Sequence, residues 1–145
     1  MSLVPPPVDR PSWDETWMSV ARTISRRSYD PQLQVGCIIV TDDNATVLAN
    51  GYNGSYKGGP NGRESDVPGQ GGMIHAEINA LIKCPYHVHG GKVMYVTHSP
   101  CRECSKLIIN ANIARVVYEI PYRDSSGILL LRSRGITVEE FTNVR

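Results

Sequence analysis

The sequence carries almost no net charge. Its 15 lysines and arginines nearly balance 14 aspartates and glutamates, which leaves a formal charge of +1 at pH 7. No strong electrostatic field therefore draws the molecule to nucleic acid or to an anionic membrane surface. This balance argues against a dedicated RNA-binding protein, and we expect neither nucleic acid nor membrane among the partners.

Long apolar runs are also missing. No stretch approaches the roughly 20 apolar residues that a membrane-spanning helix needs. Near the N-terminus, three consecutive prolines at 5–7 stand where a signal peptide requires an apolar segment, so we expect a cytoplasmic protein. With 145 residues, 41% of them hydrophobic and 20% charged, the chain has the length and composition of one globular domain, and we assign residues 1–145 to it.

Cysteine is scarce, with four residues in the chain. Cys101 and Cys104 stand at the C-x-x-C spacing of metal ligands, which in an intracellular protein favours thiolates on a metal over a disulfide. Cys37 lies in the apolar run 35–40, which predicts a small buried core residue.

Hydrophobic periodicity predicts helices and strands that alternate along the chain. Helical spacing predicts a first helix over 12–28, with Ser12 as its N-cap, and two β-branched runs, 34–41 and one that begins at 47–49, predict a hairpin. The later predicted elements are a helix at 74–83, a strand at 92–97, a helix at 101–111, a strand at 113–120, a helix at 126–134 and a strand at 136–141. Helices of this length between strands imply parallel crossovers, so we predict an α/β fold with three α-β-α layers and a central mixed five-stranded sheet.

A glycine-rich segment interrupts this pattern at 51–72. It contains eight glycines and has almost no periodicity, so we expect a long loop inserted in the domain. Loops of this length are uncommon in compact domains and are usually functional or disordered.

Two short strings carry the chemistry: His75-Ala76-Glu77 and, further along, Pro100-Cys101-Arg102-Glu103-Cys104. They supply three zinc ligands, His75, Cys101 and Cys104, and one carboxylate, Glu77, that is not needed as a ligand. A closed structural zinc site takes four protein ligands, whereas a catalytic site takes three and keeps one position for water. The spare Glu77 is therefore predicted to move protons as a general acid and base.

The predicted local structure suits this role. Each string opens a predicted helix, and the partial positive charge at a helix N-terminus favours thiolate over thiol. H-x-E followed by P-C-x-x-C is the signature of zinc-dependent deaminases, which act on a planar amidine such as C4 of cytosine or C6 of adenine.

Other interpretations remain open at this point. A lone C-x-x-C also occurs in structural zinc sites, and His98 is a candidate for a fourth, closing ligand. Cys84, His87 and His89 could form a second metal site, although they offer three loop residues without an obvious fourth ligand.

The chain resembles the cytidine deaminase superfamily and, within it, the deoxycytidylate (dCMP) deaminase family. The resemblance extends from about residue 13 to residue 141. Besides the two zinc strings, the matching motifs are Arg27-Ser28 before the first strand, Gly51-Tyr52-Asn53-Gly54 after the hairpin, and Pro121-Tyr122-Arg123 after the fourth strand.

The resemblance implies a set of substrate contacts. Asn53 would hydrogen-bond the sugar or the base, the Ala76 N–H would meet the pyrimidine carbonyl, and the Ser99 C=O would hold the amine. Arg27 would face the 5′-phosphate, as a bidentate and permanently charged partner. Tyr122 would close over the nucleotide.

The resemblance also gives the glycine-rich loop a regulatory role. The family binds a triphosphate effector there, with dCTP as activator and dTTP as inhibitor, at subunit contacts of a homohexamer. The residues implied in effector binding are Gly54, Lys57, Gly58, Gly59 and Arg63, and Mg²⁺ would accompany the triphosphate. Some relatives hold a second, structural zinc, but this sequence has neither cysteine nor histidine between residues 51 and 72.

The function expected from all of this is zinc-dependent hydrolysis of dCMP to dUMP, which supplies thymidylate synthesis. One alternative keeps the chemistry and changes the substrate to adenosine in tRNA or to free cytidine or cytosine. A second alternative is a zinc-stabilised interaction module without catalysis. Glu77 discriminates between the enzyme and the module, because a structural site has no need of it.

Overall fold

The computed structural model describes residues 3–5 and 8–142, so Pro6 and Pro7 of the proline run and the two chain ends lie outside the described residues. The elements in chain order are α1 (Trp13–Ser25), β1 (Gly36–Thr41), β2 (Val47–Tyr52), α2 (Ala76–Leu81), β3 (Lys92–His98), α3 (Arg102–Asn110), β4 (Arg115–Ile120), α4 (Ser126–Ser133) and β5 (Thr137–Glu140). Every predicted element is present. The largest differences in bounds are at three elements: α1 ends three residues earlier than predicted, α2 is shorter than predicted by two residues at each end, and β2 continues through the first two residues of the predicted loop.

The strands form one five-stranded sheet in the order β2-β1-β3-β4-β5. β1 is antiparallel to both β2 and β3, whereas β3, β4 and β5 are mutually parallel. The predicted mixed sheet is confirmed. It combines a hairpin, which needs only a short turn, with parallel strands, which need helical crossovers.

Helices cover both faces of the sheet, which confirms the three predicted layers. On one face, Met18 and Ala21 of α1 pack against Ile38 and Tyr95 in a buried cluster. On the other face, α2, α3 and α4 contribute to a larger cluster that includes the fully buried Cys37, as predicted from its apolar run. Neighbouring β1 residues alternate between the two clusters because successive side chains of a strand point to opposite faces.

The first helix begins where the sequence predicts. The hydroxyl oxygen of Ser12 accepts a hydrogen bond of 3.1 Å from the Glu15 N–H and so caps the helix N-terminus. The same first turn connects α1 to the sheet through Asp14. Asp14 accepts hydrogen bonds from the Tyr95 hydroxyl at 2.6 Å and from the Arg115 guanidinium at 2.9 and 3.1 Å.

Two glycines let the helices lie directly against the strands. A Cβ on Gly51 in β2 would lie 2.5 Å from the Ala76 carbonyl oxygen of α2, and a Cβ on Gly36 in β1 would lie 2.0 Å from the Ala21 carbonyl oxygen of α1. Any larger residue would therefore push the facing helix away from the sheet. In the described part of the chain, no helix is both long and apolar enough to cross a membrane.

Candidate functional site

The two zinc strings meet at the N-termini of neighbouring helices. His75 is the N-cap of α2 and Cys101 is the N-cap of α3, both in extended conformation. The His75 side chain makes no capping hydrogen bond, so its imidazole is directed to the cysteines instead. Cys104, one turn into α3, is fully buried, and its N–H donates to the Cys101 sulfur at 3.4 Å.

The donor atoms of this metal cluster have the spacing of a zinc site. His75 Nδ1 lies 3.2 Å from Cys104 Sγ and 3.6 Å from Cys101 Sγ, and all three donor atoms lie within 4.8 Å of one another. Zinc bond lengths of about 2.0–2.1 Å to nitrogen and about 2.3 Å to sulfur give tetrahedral N···S separations of roughly 3.5 Å. The distances and the donor types both fit zinc, with three protein ligands.

The cluster also favours the metal-binding thiolate form at one of its two cysteines. A hydrogen bond with Cys104 and the adjacent His75 together lower the pKa of Cys101 to about 4, despite its partial burial. The Cys101 thiolate in turn raises the pKa of His75, while the pKa of Cys104 rises because Cys101 and burial both oppose a second negative charge. Cys101 is therefore a thiolate at neutral pH, which is the metal-binding form of cysteine.

Glu77 lies beside this cluster, in the first turn of α2. Only 4% of the residue is exposed, and burial raises the pKa of its carboxyl to about 6. A carboxyl with a pKa near neutrality can both accept and donate a proton during a reaction.

A cavity opens over Glu77 and the metal cluster. Four of the residues that the sequence implicates in binding line it: Asn53, Arg63, Ala76 and Tyr122. Ala76 is the first residue of α2, so its N–H has no acceptor within the helix and is available to a ligand.

Several other implicated residues lie away from the cavity wall. Arg27 is exposed after the end of α1, and Ser99 is buried and does not line the cavity. The effector candidates Lys57 and Gly58 are also exposed, in a turn of the glycine-rich loop. Gly54 and Gly59 likewise do not line the cavity, so Arg63 is separated from the rest of the predicted effector set.

The Asn53 amide is largely occupied by the protein itself. Its oxygen accepts from the Val35 N–H at 2.8 Å, and its nitrogen donates to the Leu33 carbonyl at 2.8 Å. These bonds fix the chain segment that enters β1. One lone pair on the Asn53 oxygen remains for a ligand hydroxyl.

Ser99 and Tyr122 connect the loops that follow β3 and β4. The Tyr122 N–H donates to the Ser99 hydroxyl at 2.7 Å, and the Ser99 N–H donates to the Ile120 carbonyl at 2.9 Å. Tyr122 is thereby held at the cavity, with 45% of the residue exposed. Burial and the nearby Glu77 raise the pKa of its hydroxyl, which stays protonated and can donate a hydrogen bond.

The other metal-site interpretations find no support in the structure. Among residues 3–5 and 8–142, only His75, Cys101 and Cys104 bring three potential ligands together. The His98 ring pairs with the Thr97 hydroxyl at 2.8 Å rather than joining them. Cys84, His87 and His89 do not form a second group.

Part of the cavity wall was not predicted from the sequence. Asp30, Leu33 and Val35 contribute from the segment between α1 and β1, and Met73 contributes from the end of the glycine-rich loop. Asp30 is 5% exposed and forms an ion pair with Arg63 at 2.7 Å. No local motif marks Asp30, Leu33 and Val35, because they reach the cavity only through the pairing of distant strands.

Known proteins share both the sequence and the fold. The family model described as the cytidine and deoxycytidylate deaminase zinc-binding region matches residues 11–120. ComE operon protein 2 of Bacillus subtilis is 35% identical over 140 residues, which cover 92% of this chain and 73% of that protein. The deoxycytidylate deaminase of Mus musculus is 36% identical over 147 residues, covering 90% of this chain and 80% of the mouse enzyme.

A solved structure agrees with these matches. The dCMP deaminase of cyanophage S-TIM5, in complex with dCMP and dUMP, superimposes with a TM-score of 0.74 at 32% identity. The superposition covers 92% of this chain and all of the phage chain. The resemblance inferred from the zinc strings is confirmed, and the chain belongs to the family of zinc-binding cytidine and deoxycytidylate deaminases.

Proposed function

We propose that this chain catalyses the hydrolytic deamination of dCMP to dUMP. The observation that carries the proposal is the buried Glu77 beside a three-ligand metal cluster at the base of a cavity. The similarity to the phage and mouse enzymes, which are named for dCMP, supports this substrate.

Each group of residues around the cavity has its own role in the reaction. His75, Cys101 and Cys104 would hold zinc, which when bound supplies a Lewis acid that lowers the pKa of water to roughly 7. Glu77 carries one proton of the attacking water to the ring nitrogen, and then carries the second, from the hydroxyl that has added to the carbon, to the departing amine. One water is consumed and one ammonia leaves. The Ala76 N–H orients the pyrimidine carbonyl, and Tyr122 covers the nucleotide at the cavity mouth.

The decisive experiment is an ammonia-release assay with dCMP, deoxycytidine, dCTP and adenosine as substrates. We expect dCMP to be the best substrate, and Glu77→Gln to lower its turnover by about 10²–10⁴-fold while zinc content and the thermal midpoint stay unchanged. Glu103→Gln is the matched control, since Glu103 lies between the two cysteines, is exposed and, among the described residues, forms an ion pair only with Lys106. Near-normal turnover by Glu77→Gln would contradict the catalytic assignment. A preference for adenosine or deoxycytidine would favour the alternative substrates.

Regulation and assembly form a finer part of the same proposal. By resemblance to the family, Gly54, Lys57, Gly58 and Gly59 bind a triphosphate with Mg²⁺ at subunit contacts of a homohexamer, with dCTP activating and dTTP inhibiting. Glycines allow backbone N–H groups to approach phosphates closely. Activity measured against dCTP and dTTP, with and without Mg²⁺, tests the regulation, and light scattering measures the molar mass. Insensitivity to both nucleotides would remove the regulatory part.

The proposal also includes where the product goes and where the protein works. dUMP would supply thymidylate synthesis. A cytoplasmic location agrees with the four cysteines, all of which are free in the structure, because thiolate ligands require a reducing compartment.

A further inference from the structure

We propose that Arg63, rather than Arg27, selects the phosphorylated substrate by binding the 5′-phosphate of the nucleotide. The inference rests on the proposed function and names the residue that would distinguish dCMP from deoxycytidine. Arg63 comes from the glycine-rich loop, which the family resemblance associates with an effector.

The first argument is position. Among the described residues, Arg63 is the only lysine or arginine that lines the cavity over Glu77. The other ionisable groups of the wall include two carboxylates, Asp30 and Glu77, which repel a phosphate. An anion that enters this cavity therefore meets one permanently cationic side chain, apart from the metal that the cluster would hold. Arg27 is exposed and does not reach the wall.

The second argument is the set of donors that Arg63 leaves open. A guanidinium has five N–H groups. One, on Nε, donates to the Ser65 carbonyl at 3.1 Å, and one, on Nη1, donates to Asp30 at 2.7 Å. Within the described part of the chain, the remaining Nη1 group and both Nη2 groups have no protein acceptor. Two or three parallel donors are what a phosphate requires for bidentate binding.

The third argument is preorganisation. The Arg63 side chain is only 10% exposed, and its guanidinium lies against the backbone of Gly71, where a Cβ would be 2.7 Å from Cζ. Asp30 holds the group from the other side and is itself fixed by the Gln32 N–H at 2.9 Å. An arginine that is already immobilised loses little further entropy when it binds an anion.

Stability alone does not account for this arrangement. A buried ion pair contributes little net stability, because removing both charges from water offsets most of their attraction. The Arg63–Asp30 pair does, however, keep a charge with three open donors in the cavity wall. Asp30 is in this view a positioning residue, and its charge competes with the incoming phosphate for the guanidinium.

The test is the ratio of kcat/KM for dCMP to kcat/KM for deoxycytidine, measured for the wild type and for Arg63→Gln, Arg63→Lys and Asp30→Asn. The folded fraction of a variant affects both substrates equally, so it cancels in the ratio. We expect Arg63→Gln to lower the ratio by roughly 10- to 100-fold, because hydrogen bonds to charged groups are lost with one substrate only. Arg63→Lys should retain part of the selectivity, since it keeps the charge but not the parallel donors. Asp30→Asn should keep or raise the ratio.

Arg134→Gln is the matched control, because it removes the exposed C-cap arginine that follows α4 and does not line the cavity. An unchanged ratio in Arg63→Gln would overturn the inference, as would an equal loss in Asp30→Asn or a larger loss in Arg27→Gln. If the wild type deaminated deoxycytidine but not dCMP, the proposed function itself would be wrong. If the wild type preferred dCMP and Arg63→Gln kept that preference, only the role of Arg63 would be wrong.

Discussion

Replacing Gly51 by alanine should disturb the metal cluster, because the added Cβ would push α2 away from β2. In the structure, a Cβ at this position would lie 2.5 Å from the Ala76 carbonyl oxygen and 2.6 Å from the Ala80 nitrogen. Ordinary contact requires about 3.5 Å, so α2 has to move away from β2 by roughly 1 Å. Both contacting atoms belong to the helix backbone, which cannot rotate away as a side chain would.

A shift of this size matters because the ligands come from two different helices. His75 precedes α2 and moves with it, whereas Cys101 and Cys104 stay with α3. Zinc sites tolerate deviations of only about 0.2 Å in bond length. We therefore expect Gly51→Ala to weaken zinc binding by at least tenfold, and to lower the free energy of unfolding by about 1–3 kcal/mol through overpacking.

The neighbouring strand offers a control for this prediction. Gly36 pairs with Tyr52 beside Gly51 in the register, but it faces α1 on the other side of the sheet, where a Cβ would lie 2.0 Å from the Ala21 carbonyl oxygen. Gly36→Ala should lower stability by a similar amount and leave zinc affinity nearly unchanged. Denaturant unfolding and competition with a chromophoric chelator measure the two quantities. Wild-type zinc affinity in Gly51→Ala, or an equal loss of affinity in Gly36→Ala, would refute the reasoning.

Three further predictions concern the rest of the molecule. Lys92 is 2% exposed and donates to two backbone carbonyls. Lys92→Met should therefore lower the free energy of unfolding, measured with denaturant, by about 1–3 kcal/mol. Lys83→Met, at an exposed position, should change it by less than about 0.5 kcal/mol. Burial of Asp14 raises its pKa, but hydrogen bonds from Arg115 and Tyr95 outweigh this and lower the pKa below 3.8. The stabilising contribution is therefore complete above about pH 4 and is lost as the pH falls through the lowered value, so unfolding curves should show a steeper acid loss for the wild type than for Asp14→Asn. Removal of zinc by a chelator should lower the thermal midpoint in calorimetry, because zinc binds only the folded state, and added zinc should restore it.

The order of elements could be predicted from the sequence because each element carries its own periodicity. The bounds of α2 could not be predicted in this way. His75 adopts an extended conformation as the N-cap, so the helix begins at Ala76. At the other end, the Lys83 and Cys84 N–H groups donate to carbonyls only three residues back, and Pro85 prevents continuation. The apolar pattern continues through this final turn, so periodicity alone overestimates the helix.

The metal cluster could be predicted from the sequence because most of its geometry is local. Cys101 and Cys104 are separated by one helical turn, so their proximity is a local property of α3. His75 required only the further assumption that two helix N-termini meet. Asp30 and Arg63, in contrast, are 33 residues apart in the sequence, in loops without periodicity. Only the folded chain brings this ion pair together.

The topology nevertheless explains why those loops form the cavity. β1 is antiparallel to its neighbours, so its first residue, Gly36, lies beside the last residue of β2 and at the edge where β3 and β4 end. The segments before β1 and after β2, β3 and β4 therefore converge on one edge of the sheet, and every residue of the cavity wall lies in them or in the first turn of α2. Ligands bind at the carboxyl ends of strands in open α/β sheets for the same reason. Once the strand order β2-β1-β3-β4-β5 is known, Asp30 and Arg63 become natural candidates for the wall, although neither carries a motif.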